Sequence, residues 1–354
     1  MPRSNPPGKP TTSMAAQIKE RTTRPVVKET EELDGNMLTM TSTGSTLLDL
    51  AITGGRKRGG GIPGGIFVEV FGPNSSGKTT LLCEIGGNVQ LAGGDTQYHD
   101  PEARLNTEFA RMFGYNIDPK NYWTPDVVPE VFSNVRGWKP APKNPNAVNG
   151  IFADSLAALS THLEMDKEEG DKMGQRRAKE FSEQLRRTCR VITKKNYLMV
   201  CSNQIRENVT GYGPQFQSPG GWAIGFYASL RLRAGNPKQI PLNKTYNGKV
   251  ITSIIGIETE FFVHKSSVWK PYHSAPVYML FDYGIDDIRG NLQYIKDYTG
   301  ATTYVIGGTK LASSMEHSIA LIEKRGLIED LREEVINLWE DIEKKFEQKR
   351  IPKH

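Results

Sequence analysis

The run Ile66 to Leu82, IFVEVFGPNSSGKTTLL, constrains this chain more than any other stretch. Ile66 to Phe71 is short, apolar and β-branched, the pattern of a strand buried in a parallel sheet. Gly72-Pro73-Asn74-Ser75-Ser76-Gly77-Lys78-Thr79 fits G-x-x-x-x-G-K-[ST], and Thr79, Thr80 and the residues to Ile85 continue as a helix. In that order, glycines let backbone N–H groups close around phosphate oxygens, and the helix N-terminus adds its partial positive charge. Lys78 then reaches the β- and γ-phosphates, and the Thr79 hydroxyl is placed to ligate Mg2+. Strand, loop and helix together set this apart from an ordinary glycine turn. The stretch predicts a site for a nucleoside triphosphate.

At 354 residues the chain has room for one large α/β domain with small flanking pieces. No apolar run approaches the roughly 20 residues needed to span a bilayer. Met1 to Pro10 lacks the apolar core of a secretory signal. Cys83, Cys189 and Cys201 stand far apart without CxxC spacing, which excludes a disulfide framework or a zinc site and suits a reducing cytoplasm. A net charge of +5 favours a polyanionic partner only weakly, so the placement of the basic residues matters more.

Residues 1–36 are rich in Pro, Thr and charge, with a short helix expected over Ser13 to Thr22. They read either as a dispensable tail or as an arm that docks on a neighbouring subunit. Order begins at Met37, with Thr43-Gly44-Ser45 capping a helix over Thr46 to Ile52. Gly54 to Gly65 is a glycine loop carrying Arg56, Lys57 and Arg58, which suits a solvated connection or a contact to phosphates. Thr96 to Asp100 is a strand, followed by Pro101-Glu102 and a helix over Leu105 to Phe113. A carboxylate at that strand end can orient and deprotonate an attacking water, although many such glutamates are plain surface groups. Gly150 to Ser155 is an apolar strand ending in Asp154, which can bind Mg2+ or hold Thr79.

Leu163 to Met173 has no period and reads as a loop. Gly174 to Lys195 reads as a helix with Phe181, Leu185, Val191 and Ile192 on one face and eight cations, among them Arg176 and Arg177, on the rest. Tyr197 to Ser202 is a buried strand that ends in Asn203-Gln204-Ile205-Arg206. Glu207 to Gly221, with Tyr212 and Phe216, is long for a loop in a compact domain and so reads as functional. Trp222 to Leu232 reads as strand, and Lys249 to Phe262 with Val277 to Phe281 as an antiparallel meander. From Ile288 the pattern is helical apart from a strand over Thr302 to Ile306. Leu327 to Glu347 carries Ile328, Leu331, Val335, Leu338, Ile342 and Phe346 as an apolar stripe.

Taken together, TSTGSTLLDL (Thr41 to Leu50), GPNSSGKTT (Gly72 to Thr80), ADSLAAL (Ala153 to Leu159), NQIR (Asn203 to Arg206) and Gly220-Gly221 through FYASLR (Phe226 to Arg231) resemble the RecA-type strand-exchange recombinases. The resemblance covers roughly residues 37 to 285. It implies an α/β fold: a RecA-like P-loop NTPase core with a mostly parallel twisted sheet over 37–285, an N-terminal arm over 1–36 and a small C-terminal α+β domain over 286–354. It implies ATP and Mg2+ as cofactors, Glu102 as catalytic base, and Gln204 as γ-phosphate sensor beside Lys78. Phe109 falls where the family stacks an aromatic on adenine, and Asn106 where a side chain reaches the adenine edge. Lys265 falls near lysines that touch ATP across the subunit interface. Met173, Arg176, Arg177, Arg206, Asn208, Tyr212, Phe216, Gly220 and Gly221 fall in or beside the two DNA-binding loops.

The activity so implied is DNA-dependent ATP hydrolysis coupled to recombination and repair: a helical homo-oligomeric filament on single-stranded DNA that pairs it with homologous duplex DNA. Single-strand-binding and mediator proteins are the implied helpers, with no membrane, in the cytoplasm of a bacterial cell. Two other readings remain, a hexameric helicase-like motor and a non-catalytic paralogue acting as mediator. A scaffold needs none of Lys78, Thr79, Glu102 and Asp154. Some features depart from the bacterial pattern: Gly225 stands in place of a lysine, one lysine is missing near Val263-His264-Lys265, and the C-terminus is basic. These suit a divergent, phage-encoded member.

Overall fold

The computed structural model describes residues 39–161, 173–207, 216–217, 222–348 and 350. Residues 37–354 form one compact unit, and the helix expected over Ser13 to Thr22 lies outside the described residues. In chain order come β1 (Met40–Thr41), α1 (Thr46–Asp49, continued by a π-helical turn over Leu50–Gly54), β2 (Ile62–Pro63), β3 (Ile66–Gly72), α2 (Lys78–Leu91) and β4 (Thr96–His99). Next are α3 (Thr107–Met112), β5 (Tyr122–Trp123), α4 (Val128–Gly137), β6 (Asn149–Ala153), α5 (Met173–Lys194), β7 (Tyr197–Gln204), β8 (Arg206–Glu207) and β9 (Phe216–Gln217). Then follow α6 (Trp222–Tyr227), β10 (Leu230–Ala234), β11 (Lys238–Tyr246), β12 (Lys249–Ser266), β13 (Ser274–Leu280) and β14 (Gly284–Ile285). The last are α7 (Asp287–Thr299), β15 (Val305–Ile306), β16 (Thr309–Lys310), α8 (Met315–Arg325) and α9 (Ile328–Lys345).

The principal sheet has the order β14-β13-β12-β10-β3-β7-β6-β4-β5, with β11 also paired to β12. It is parallel from β10 to β5 and antiparallel from β10 to β14. Phe67 to Gly72 are buried throughout β3, as a strand covered on both faces must be. Val68 and Val70 point into one core with Leu81, Leu82 and Ile85 of α2. Phe67 points into a second core with Phe132 of α4 and Phe181 of α5. β7 alternates the same way, Leu198 and Val200 to the first core, Met199 and Cys201 to the second. Helices therefore lie on both faces of a mostly parallel sheet, the α/β architecture expected.

The first core continues into the C-terminal elements through Leu292 and Ile295 of α7, Ile322 of α8, and Leu331, Val335, Ile336 and Trp339 of α9. The buried stripe of α9 is shorter than its sequence period implies, because Ile328 and Phe346 at its ends are exposed. The helix leans on α7 and on the turn after α1 through its middle. One cation of the glycine loop helps to hold it there. Arg58 reaches Glu333 at 2.6 Å and Glu340 at 2.8 Å, while Arg56 donates to the Val268 carbonyl at 2.9 Å.

One expectation is corrected. Trp222 to Leu232 does not run as a single strand: α6 occupies Trp222–Tyr227 and only Leu230–Ala234 is strand. Ile224 and Ala228 are buried against α5 while Phe226 between them is 74% exposed. Burial every fourth residue is the period of a helix, and a strand would have buried all three.

Around the start of α1 the chain gathers three buried or half-buried carboxylates. Asp49 accepts from Ser42 Oγ at 2.5 Å and from Thr43 N and Oγ1, both at 2.7 Å. Asp287 accepts from Thr46 N and Oγ1, both at 2.7 Å. Glu84 accepts from Ile285 N at 2.8 Å. Burial raises Asp49 and Glu84 each to about 7 against the pull of these donors. The folded chain thus binds protons that the unfolded chain has released from about pH 4 upward. Stability is accordingly lost as pH rises through the folded values, by about 1 kcal/mol per group between roughly pH 6 and pH 8. Denaturation midpoints at the two pH values should show this slope, and Asp49→Asn should remove its share; an unchanged slope in that variant rejects the assignment.

Candidate active site

Gly77 precedes α2 with φ of +81°, a left-handed conformation that costs glycine little. A Cβ there would also lie 2.1 Å from Met279 Sδ, so the loop can turn this tightly only without one. Ser76 Oγ donates to the Pro73 carbonyl at 2.8 Å, closing the loop on itself. Lys78 Nζ donates to the carbonyls of Pro73 at 2.6 Å and Gly72 at 3.2 Å. These are neutral acceptors, and a phosphate offers the ammonium a stronger, charge-assisted bond. Burial lowers the Lys78 pKa, with Asp154 and Glu102 opposing it.

The loop borders a cavity of about 580 Å3 lined by Asn74, Ser75, Lys78, Thr79, Asp100, Glu102, Arg104, Asn106, Phe109, Asp154, Ser155, Ser202 and Gln204, with Tyr98 and Leu105. Parallel strands carry most of these groups to one edge of the sheet. Asp154 follows β6, Ser202 and Gln204 lie on β7, and Asp100 and Glu102 follow β4. Thr79 Oγ1 donates to Asp154 Oδ2 at 2.5 Å, and Ser202 Oγ donates to Asp154 Oδ1. Burial raises the Asp154 pKa, countered by these two hydroxyls and by Lys78. A carboxylate so held gains from a divalent cation. Among the described residues no three acidic, histidine or cysteine side chains converge as a metal site. The Thr79 hydroxyl and the Asp154 carboxylate, side by side at the phosphate loop, fit Mg2+, which commonly takes few protein ligands and fills its shell with water and phosphate.

Glu102 is held on both oxygens, Oε1 by Ser155 Oγ at 3.0 Å and Oε2 by Arg104 at 2.9 Å. The turn that presents it is anchored by Asp100, whose Oδ2 accepts from Leu105 N and from the Tyr122 hydroxyl, both at 2.8 Å. Ala103 takes φ of +49°, an uncommon conformation for a residue with a Cβ. Asn106 is the N-cap of α3, with Oδ1 accepting from Glu108 N at 2.8 Å and Phe109 N at 3.4 Å. Its cap uses the side-chain carbonyl, and the residue lines the cavity. Phe109 is held edge-on by Phe113, ring centroids 4.6 Å apart.

Behind Gln204 lies a buried charge that the sequence pattern conceals. Glu69, in the middle of β3, is fully buried. It accepts from Asn203 Nδ2 at 2.9 Å and from Arg231 Nε at 2.6 Å, and Arg231 also lies 4.4 Å from the centre of the Phe71 ring. Asn203 Oδ1 in turn accepts from Gln204 N at 3.0 Å.

The structure thus brings together Lys78, Thr79, Glu102, Asp154, Asn106, Phe109 and Gln204, all singled out from the sequence. Gly72, Pro73 and Gly77 shape the loop, and Thr80 lies within α2. Lys265 does not line the cavity: its Nζ donates to the carbonyls of Gly225 at 2.9 Å and Phe226 at 2.8 Å, at the end of α6. A side chain at Gly225 would press on the Arg231 guanidinium at 3.0 Å. Arg176 is exposed on α5 and Arg177 is half-buried there. Met173 begins α5, and Arg206 and Phe216 belong to the short β8–β9 pair. Asn208, Tyr212, Gly220 and Gly221 lie outside the described residues. Sequence reasoning missed Asp100, Arg104, Ser155 and Ser202; Asp100 and Arg104 flank Glu102 within two residues, and that proximity was the available signal.

A family model described as the RecA N-terminal domain matches residues 12–286. Protein RecA of Delftia acidovorans (strain DSM 14801 / SPH-1) is 32% identical over 305 residues, covering 83% of this chain and 77% of the relative. Protein RecA of Enterococcus gallinarum is 33% identical over 300 residues, covering 83% and 80%. Among solved structures, that of the RadB recombinase covers 70% of this chain and 98% of its own, with TM-score 0.48 and 20% identity.

Proposed function

The chain belongs to the RecA family, and on that premise we propose that it is a DNA-dependent ATPase that forms a filament on single-stranded DNA and exchanges strands with homologous duplex. One observation carries the reading. Gln204 lines the nucleotide cavity with Lys78 and Glu102, and it ends the strand from which the stretch 207–221 departs. A phosphate contact at Gln204 would bias the order of that stretch and couple nucleotide to DNA affinity, the physics of phosphate-sensing loops.

In the ATP reaction the loop amides and Lys78 hold the phosphates, and Glu102 takes the proton of the attacking water. Phe109 stacks on the base, and the Asn106 amide donates to a ring acceptor. Thr79 and Asp154 would hold Mg2+, which would supply positive charge to the phosphates. On the DNA side, α5 exposes Arg176, Lys179, Arg186, Arg187, Arg190 and Lys194. At about 100° per residue these fall on one stripe, interrupted by Glu183, and such a stripe suits a phosphate backbone. The 37–285 stretch carries these roles; 1–36 is assigned to docking a neighbouring subunit and 286–354 to a small flanking domain. The family reading implies the cytoplasm; separately, no described helix is long and apolar enough to cross a membrane.

The test is ATP hydrolysis with and without single-stranded DNA across a salt series, beside negative-stain images with an ATP analogue. Strong stimulation that fades steeply with salt, on helical filaments, is the expected result. Hydrolysis indifferent to DNA removes the coupling, and rings in place of filaments turn the reading towards a helicase-like motor.

A further inference from the structure

Arg104 is a cation of the cavity to which the nucleotide reading assigns no part. It lines the same cavity as Lys78 and Ser75, and its guanidinium lies 2.9 Å from Glu102 Oε2. The turn beneath it is rigid: Ala103 N donates to the Asp100 carbonyl at 3.1 Å, and the Asp100 carboxylate holds Leu105 N. The backbone is fixed while the long side chain, 81% exposed, is free to swing.

We propose that Arg104 is a catalytic residue for phosphoryl transfer, exchanging the Glu102 carboxylate for the oxygens of the terminal phosphate of a bound nucleoside triphosphate. The proposal rests on the ATPase reading above. The exchange has a clear direction. An ion pair as exposed as this one is screened by water and holds weakly. A terminal phosphate carries more charge and three oxygens, two of which match the planar fork of a guanidinium. Glu102 does not drift when Arg104 leaves, because Ser155 still holds its other oxygen at 3.0 Å. Its Oε2 is then open to the attacking water.

In the step itself, the water oxygen bonds to the γ-phosphorus and the bond from that phosphorus to the β–γ bridging oxygen breaks. The electron pair stays on the β-phosphate, and the water proton passes to Glu102 Oε2. Arg104 stabilises the charge spread over the equatorial oxygens, the service an arginine supplies in other phosphoryl transfers. Lysine is a poorer substitute there, since it lacks the fork.

The experiment compares the full chain with Arg104→Ala and Arg104→Lys. Steady-state ATP hydrolysis is read beside fluorescence titrations with a fluorescent ADP and a non-hydrolysable triphosphate analogue. In Arg104→Ala, kcat should fall roughly 10- to 100-fold, and affinity for the triphosphate analogue about tenfold. ADP affinity should stay within about twofold, because the diphosphate lacks the group that Arg104 reads. Arg104→Lys should fall between parent and alanine variant. Unchanged kcat and analogue affinity would overturn the proposal, as would an equal fall for ADP and the analogue, which would mark a purely structural role. A parent protein that hydrolyses no ATP would overturn the underlying reading and this proposal with it.

Discussion

Replacing Glu102 by glutamine is expected to lower DNA-stimulated ATP turnover about 100- to 10,000-fold, with ATP affinity near that of the parent. The amide is nearly the same size and can still accept from Ser155 Oγ, which stands 3.0 Å from Oε1. What it loses is the ability to take a proton. In the proposed site the nucleotide is held chiefly by the loop amides, Lys78 and Phe109, which this change leaves in place, and it frees Arg104 from its carboxylate partner without removing it. Steady-state hydrolysis beside a fluorescent-nucleotide titration separates the two quantities. A Glu102→Gln protein turning over within about fivefold of the parent would remove Glu102 from the general-base role, and the search for the base would move to Asp100.

The second large effect concerns stability. Glu69→Ala is expected to cost about 3–5 kcal/mol of unfolding free energy, the usual result of deleting one member of a buried ion pair. Glu69 is fully buried, and Arg231 is 18% exposed, so solvent cannot replace the lost carboxylate. The change would strip partners from strands on both sides of β3, since Asn203 lies on β7 and Arg231 on β10. It should also loosen Gln204, whose backbone N–H is held by Asn203. Urea unfolding monitored by tryptophan fluorescence measures the cost. A difference below about 1 kcal/mol would mean that the triad is neutral for folding. Glu69→Gln should fall between, because it keeps an acceptor for Asn203 but no charge for Arg231.

Much of the site was legible in the residues alone, and the reason is local. The phosphate loop needs glycine, lysine and threonine at fixed spacing, so a strand, turn and helix in that order announce it. Asp154 and Gln204 end apolar strands, and parallel strands of one sheet deliver their ends to one edge. The basic helix read over Gly174 to Lys195 follows from a period of 3.6, and the unbroken apolar run of Tyr197 to Ser202 marks a strand covered on both faces. The misreading of Trp222 to Leu232 marks the limit of that method. Ile224, Phe226 and Ala228 recur with the period of a strand, and only packing against α5, which leaves Phe226 exposed, selects the helix.

The sequence by itself therefore determined the nucleotide loop, the carboxylate beside it, the buried strands of the sheet and the family. Tertiary structure alone decided which groups hold them. Glu69 lies in a strand that reads as apolar, and its partner Arg231 is 162 residues away. Ser155 meets Glu102 across 53 residues, and Arg58 meets Glu333 across 275. Periodicity and motif spacing report what a residue does within a few turns of its own backbone. A buried charge is tolerable only because a distant residue neutralises it, and that distance is set by the fold.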